Sequence, residues 1–264
     1  MYQNKRIAAI IPARDEAQAI KKVINSLWTL KDARGINIVD DIVVCDNGST
    51  DKTAEISQEA GAYVVSQSRP GYGIACLTAL AETEKADILL FIDGDNAFRA
   101  HQAMPLINSI AEGADLSIGS RKLGSVERNA LTAPQRFGNC LASSLIRIIW
   151  GETVTDLGPF RAVSQEALQH LAMEDETYGW TIEMQIKAIQ LGMTIEEHPV
   201  DTYRRLGHSK ISGTVKGTVG AAIGILSMIA RLRWRQYRQL DKYNIASVEK
   251  QQSQLEAKII NKLA

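Results

Sequence analysis

The sequence has no run long and apolar enough to cross a bilayer. Its most apolar stretch, Gly217 to Ala230, is fourteen residues long with three glycines, against the roughly twenty that a transmembrane helix needs. The run Ile7 to Ile11 stops at Pro12 and meets Arg14-Asp15-Glu16 at once, too short and too soon charged for a secretory leader. Cysteine is scarce: Cys45, Cys76 and Cys140 are odd in number, far apart and without a Cys-x-x-Cys pair. That argues against a disulfide framework or a zinc knuckle and fits a reducing cytoplasm. The histidines, His101, His170, His198 and His208, have no ligand-like spacing. Internal repeats and low-complexity tracts are missing. Net charge is also missing, since 30 basic residues balance 30 acidic ones, and this balance gives no reason to expect a nucleic acid partner.

What is present is an ordinary globular composition, 45% hydrophobic and 23% charged over 264 residues. A chain of this length buries roughly three quarters of its unfolded surface without disulfides or a structural metal. One catalytic domain is expected over 1–212, with a nucleotide-binding half at about 1–121 and an acceptor half at about 122–212. A helical C-terminal extension would follow over 213–264. Charge is unevenly spread: between Thr202 and Leu240 lie Arg204, Arg205, Lys210, Lys216, Arg231, Arg233, Arg235 and Arg238 with no acidic residue. The remaining chain is correspondingly acidic, and such asymmetry points to an anionic partner for the basic segment, either phosphates or a membrane surface.

Strand and helix patterns alternate. Arg6 to Ile11 reads as a strand, followed by Ala17, Ile20, Val23, Ile24 and Leu27 at helical spacing. Ile42 to Cys45 and Tyr63 to Ser66 read as further strands, with helices after each, the second from about Ile74 to Thr83. Ile88 to Ile92 is an unbroken apolar run, as a strand buried on both faces of a parallel sheet should be. Next come a helix over His101 to Ala111, a strand over Asp115 to Gly119 and a long helix over Pro134 to Trp150. A loop spans Gly151 to Phe160, with a helix over Thr181 to Leu191 and a strand over Thr194 to Pro199 beyond it. The rhythm predicts an α/β fold: a mainly parallel twisted sheet, helices on both faces, and amphipathic helices at the C-terminus.

Asp93-Gly-Asp95 closes the Ile88 to Ile92 strand, and the carboxyl ends of parallel strands are where α/β folds bind ligands. Gly94 lets the backbone turn tightly, so Asp93 and Asp95 are candidate ligands for a hard cation, Mg²⁺ or Mn²⁺, that also binds phosphate oxygens.

The chain resembles the family 2 glycosyltransferases of the GT-A fold, and within them the dolichyl- or polyprenyl-phosphate sugar synthases. The likeness covers about 6–212 and rests on seven segments in order: Ile10-Ile-Pro-Ala-Arg-Asp-Glu16, Val43-Val-Cys-Asp-Asn-Gly-Ser-Thr-Asp51, Arg69-Pro-Gly-Tyr-Gly73, Phe91-Ile-Asp-Gly-Asp95, Gly119-Ser-Arg121, Thr155-Asp156 with Phe160-Arg161, and Arg204-x-x-Gly-x-Ser-Lys210. The resemblance implies an inverting, metal-dependent transfer of a sugar from a UDP- or GDP-sugar to an acceptor, a polyprenyl phosphate foremost. It implies that Pro12, Ala13, Arg14 and Glu16 hold the nucleoside, with Glu16 on a ribose hydroxyl, and that Asp46 reads the base. Many relatives carry Asp-Asp where this chain has Asp46-Asn47, which leaves the base open. Asp95 would be the main metal ligand and Asp93 its partner, with Gly73 and Gly94 in the loops against the donor. Arg121, Arg204, Ser209 and Lys210 would clamp phosphates, with His208 a possible further contact in the same loop. A phosphate acceptor arrives ionised and needs no base; a hydroxyl acceptor would need one, with Asp156 the first candidate and Glu183 the second.

Relatives of the polyprenyl type often end in transmembrane helices, whereas Gly217 to Ala230, flanked by arginines with Trp234 and Tyr237 interleaved, suits a helix lying at an anionic membrane interface. A helix packed on the body is the alternative. Val248, Leu255, Ile259 and Leu263 are compatible with a homodimer contact. Two other classes stay open. A sugar-phosphate nucleotidyltransferase would carry a glycine-rich loop after its first strand, and Pro12 to Glu16 has no glycine. A non-catalytic nucleotide-sugar-binding protein would not need the intact Asp93 and Asp95.

Overall fold

The computed structural model describes residues 1–207 and 219–238. Strands β1 (Ile7–Ala13), β2 (Asp41–Asp46), β3 (Tyr63–Ser66), β4 (Ile88–Phe91), β5 (Leu116–Ser120), β6 (Arg161–Ser164) and β7 (Ile195–Pro199) join one sheet in the order β3-β2-β1-β4-β6-β5-β7. All neighbours are parallel except β6, which runs antiparallel to both β4 and β5. The helices are α1 (Ile20–Trp28), α2 (Thr53–Glu59), α3 (Tyr72–Ala81), α4 (Ala103–Ala111), α5 (Ala133–Trp150), α6 (Gln165–Leu171), α7 (Trp180–Gln190) and α8, over 219–238.

Side chains of β1 alternate between two cores, as the strand period requires. Ile7, Ala9 and Ile11 join Ile20, Ile24, Leu106 and Ile110 on one face of the sheet. Ala8 and Ile10 join Phe91, Cys76, Trp180 and Met184 on the other. A third cluster, Ile146, Ile182, Ile186, Met228, Ile229 and Leu232, fastens α8 to α5 and α7. All three cysteines are free, Cys45 and Cys76 buried and Cys140 exposed.

Helix α5 begins where local chemistry dictates. The Thr132 hydroxyl accepts from Gln135 N, the Gln135 carboxamide accepts from Thr132 N at 2.8 Å, and a proline sits in the first turn. It ends at Gly151, left-handed at φ 80°.

The main departure from the expected rhythm is the pair β6 and α6, which fill a stretch the periodicity leaves blank. Arg161-Ala-Val-Ser164 is short and opens with a charged residue, so nothing local marks it as a central strand. Its Arg161 is nonetheless fully buried. Because β6 runs backwards, the loop preceding it emerges at the same edge as the carboxyl ends of β1, β2, β4, β5 and β7. The register fixes this edge: Ala13 lies opposite Asp46, Phe91 and Ile118 both lie opposite Arg161, and Ser120 lies opposite Pro199.

Candidate active site

At that edge the turns after β1 and β2 are tied together. Asn47 N donates to Ala13 O at 2.8 Å, Asp15 N to Ser49 Oγ at 2.9 Å, Glu16 N to Thr53 Oγ1 at 2.7 Å and Ala17 N to Asp51 Oδ2 at 3.1 Å. Pro12 and Ala13 are buried beneath this junction, while the Arg14 side chain is exposed. Asp46 is half-buried, and its carboxylate takes one long bond, 3.4 Å from Ser49 N. It therefore keeps acceptor capacity at the mouth of the sheet.

Asn47 faces the other way. Its Nδ2 donates to Gln67 O at 3.0 Å and Arg69 O at 2.7 Å, and its Oδ1 accepts from Gly71 N at 2.8 Å. Only an amide satisfies two carbonyls and an N–H at once, so the Asp-to-Asn departure concerns the 67–71 loop. Asn47→Asp is expected to set a carboxylate against two carbonyls and to cost about 1–3 kcal/mol, read as a lower urea midpoint at unchanged slope. Beyond this staple, Gly73 N donates to Thr177 O at 3.0 Å and Ile74 N to Glu176 O at 2.9 Å. A Cβ at Gly73 would collide with the Asp175 carbonyl, and one at Gly71 with that of Glu176. Packing of loop on loop accounts for Gly73, which was expected to lie against the donor.

Asp93 and Asp95 follow β4 directly. Tyr72 OH donates to Asp93 Oδ1 at 3.2 Å. Burial, and next the charge of Asp95, push the Asp93 carboxyl up to about 7, against the opposing pull of Arg205, the Tyr72 hydrogen bond and Arg121. Asp95 is buried; its Oδ1 accepts from Ala97 N at 2.8 Å and its Oδ2 meets Arg205 Nη2 at 2.6 Å. Gly94 lies against Ile20, Ala13 and Ile11, which leaves little room for a side chain. Among the described residues no cluster of three or more His, Cys, Asp or Glu is placed to hold a metal. One buried and one half-buried carboxylate, Asp95 and Asp93, suit Mg²⁺ or Mn²⁺, which commonly bind through one or two carboxylates with water and substrate phosphate completing the shell.

Arg121 and Asp156 form a forked pair. Arg121 Nε lies 2.7 Å from Asp156 Oδ2, Nη2 lies 2.6 Å from Oδ1, and Arg121 N donates to Oδ2 at 2.8 Å. Burial alone would lower the guanidinium pKa, but the Asp156 hydrogen bonds and charge outweigh it and hold it above its usual value. Asp156 is 1% exposed, and its backbone is fixed by Gln185 Nε2 donating to Asp156 O at 2.7 Å. Beside the pair lies a cavity of about 460 Å³ whose lining includes Arg121, Lys122, Arg136 and Arg147, with Asp156 as its one carboxylate. Asn139, Ser143 and Ser144 of α5 also line it.

Glu183, the second candidate base, does not line this cavity. It is 1% exposed, accepts from Glu174 N and Asp175 N, and pairs with Lys187 Nζ at 2.8 Å. Its carboxylate organises the 174–175 turn.

At this edge the structure places Arg205, to which spacing assigned no role. Arg204 is exposed, with its backbone N donating to Glu127 Oε2 at 2.8 Å; its neighbour Arg205 reaches Asp95. Adjacency in a basic loop gave no way to choose between them, because the choice depends on which side of the strand exit faces inward. Arg161 is a second residue whose role spacing does not reveal. Its guanidinium donates to Leu157 O, Gly158 O and Thr181 O, and burial lowers its pKa to about 10. Ser209, Lys210, His208 and the apolar positions Val248, Leu255, Ile259 and Leu263 lie outside the described residues.

Residues 8–172 match Glycosyl transferase family 2. Glycosyltransferase AglJ of Haloferax volcanii is 30% identical over 200 residues, which cover 75% of this chain and 63% of AglJ, so the chain spans less than two thirds of that relative. A dolichyl-phosphate hexose transferase of the same organism is 28% identical over 236 residues, covering 88% of this chain and 98% of the relative. The fold is similar to that of glucosyl-3-phosphoglycerate synthase from Mycobacterium tuberculosis, solved in complex with Mn²⁺, uridine diphosphate and phosphoglyceric acid. The TM-score is 0.68 at 24% identity, over 87% of this chain and 79% of that one. With carboxylates, basic groups and the turns after β1 and β2 gathered at one edge of a GT-A sheet, and a family match over more than half its length, the chain belongs to the family 2 glycosyltransferases.

Proposed function

We propose that the protein transfers a hexose, with inversion, from a UDP- or GDP-sugar to a polyprenyl phosphate at an anionic membrane surface. The observation that carries this reading is the cavity beside Arg121. Among the described residues four cationic side chains line it, and its only carboxylate is already neutralised by one of them. Such a site favours a phosphate over a neutral hydroxyl. An oxygen of the acceptor phosphate would form the bond to the anomeric carbon as the bond to the donor diphosphate breaks. That oxygen is anionic at neutral pH, so the step needs positioning more than proton abstraction. Asp156 and Glu183 are in any case engaged by donors of the chain itself.

In this reading Asp46 accepts from a ring N–H of the base and Glu16 from the ribose. Arg121 is aimed by Asp156, while Ser209 and Lys210 bind phosphate. A Mg²⁺ or Mn²⁺ ion held by Asp93 and Asp95 would neutralise charge on the departing diphosphate.

A lipid acceptor also needs an apolar approach. On α5, Phe137, Leu141 and Ile148, the last 75% exposed, form a stripe on the helix that lines the cavity. On α8, Ile223, Leu226, Trp234 and Tyr237 are exposed, Trp234 to 63%. Arg231, Arg233 and Arg238 are exposed on the same helix, whereas Arg235 pairs with Glu174 at 2.6 Å. No helix among the described residues is long and apolar enough to cross a membrane. Aromatic and aliphatic side chains ringed by arginines match an anionic interface.

A screen of UDP- and GDP-sugars with Mn²⁺ tests the reaction: nucleotide release is expected only when polyprenyl phosphate is present. Release driven by a soluble phosphorylated or hydroxyl acceptor, and not by the lipid, would overturn the acceptor assignment. The protein is further expected to sediment with vesicles containing anionic lipid at low ionic strength. Replacing Arg231, Arg233 and Arg238 by Ser should release it, each contributing about 1 kcal/mol. Retention in the supernatant at every salt concentration would remove the membrane surface from the reading.

A further inference from the structure

Both oxygens of Asp95 are engaged by the chain itself. Oδ1 holds Ala97 N, and Oδ2 holds Arg205 Nη2 at 2.6 Å. Arg205 reaches this position because residues 203–206 are laid along 95–97: Tyr203 N donates to Ala97 O at 2.9 Å and Leu206 N to Asp95 O at 3.0 Å. The Arg99 guanidinium, 4.1 Å above the Tyr203 ring, clasps the same segment from outside. The guanidinium thus lies where a cation ligated by Asp95 would need an oxygen lone pair and an uncompensated charge.

We propose that Arg205 is a displaceable counter-ion of the metal carboxylate. In the nucleotide-free protein it holds Asp95 Oδ2, and it yields that oxygen to a divalent cation when a nucleoside diphosphate supplies phosphate oxygens for the guanidinium. Arg205 thereby keeps the free protein from binding cations tightly and makes cation and nucleotide bind together. By linkage each tightens the other, typically by about 5- to 150-fold. This rests on the reading that Asp95 ligates the cation. The spacing of the basic loop assigned Arg205 no role; its place in the fold does.

Calorimetric titration of Mn²⁺ into nucleotide-free protein tests the proposal. Arg205→Gln is expected to bind Mn²⁺ about tenfold more tightly than wild type, a gain that loss of a merely structural residue would not produce. Arg204→Gln removes the same charge one residue away on an exposed side chain and should leave Mn²⁺ affinity near wild type. Arg205→Lys should stay near wild type as well, and it keeps the test valid if the glutamine variant folds poorly. With UDP or GDP present, corrected for Mn²⁺ held by free nucleotide, the tightening seen in wild type should shrink in Arg205→Gln. Equal Mn²⁺ affinity in wild type and a folded Arg205→Gln would overturn the proposal, as would equal tightening by Arg204→Gln. Mn²⁺ binding that survives Asp95→Asn unchanged would instead remove Asp95 as the ligand and overturn the underlying reading.

Discussion

Asp95→Asn is expected to lower turnover by 10³-fold or more, about 4 kcal/mol in the barrier, while the protein still folds. The amide oxygen can go on accepting from Ala97 N, so the turn after β4 keeps its hydrogen bond. Arg205, partly exposed, can return to water. Removing the charge also relieves Asp93, whose carboxyl is pushed up to about 7 by burial and by Asp95. Stability should therefore hold or rise even as activity fails, which separates a ligand from a structural residue. Turnover followed across a Mn²⁺ titration, beside thermal unfolding of the same sample, makes the comparison. Wild-type turnover at limiting Mn²⁺ would remove Asp95 from the chemistry.

The largest loss of stability is expected for Asp156→Ala. Arg121 would be left with its forked partner gone at a site where the carboxylate is 1% exposed. Breaking a buried pair from one side typically costs about 3–5 kcal/mol, which for a domain of this size lowers Tm by about 10 °C. Asp156→Asn should lose less stability but should weaken acceptor binding, because the amide still accepts one bond while no longer fixing the fork. A general base would behave differently: Asp156→Asn would abolish kcat with Tm and acceptor affinity unchanged, an outcome that would restore Asp156 to the role the resemblance first offered.

The sequence made the edge at β1 and β4 legible because its strands are local objects. Ile7–Ala13 and Ile88–Phe91 are buried along their whole length, so their apolar runs mark them, and the carboxylates that end the latter mark the edge. The half of the chain beyond Arg121 was less legible for a physical reason. Arg161 is accommodated in a central strand because the carbonyls of Leu157, Gly158 and, twenty residues on, Thr181 converge on it, an arrangement that residue pattern alone does not reveal. Asn47 read as a weakened base-binding pair, although its amide was selected by three backbone groups twenty or more residues away. The choice between Arg204 and Arg205, and the commitment of Glu183 to the 174–175 turn, likewise follow from tertiary approach rather than spacing.

The insertion of β6 between β4 and β5 has a consequence for how the chain is made. Strand β5 is complete by Ser120, yet its partners on either side are β6 and β7, which end at Ser164 and Pro199. A nascent chain that has just delivered Arg121 therefore carries β5 with no strand to pair with, and β4 with an open edge. Strand β4 is apolar throughout and β5 carries Leu116 and Ile118, and unpaired strand edges invite association with other chains. Completion of the sheet must wait for about eighty further residues to emerge, which makes the interval between Arg121 and Pro199 the one in which the growing polypeptide most needs a chaperone's protection.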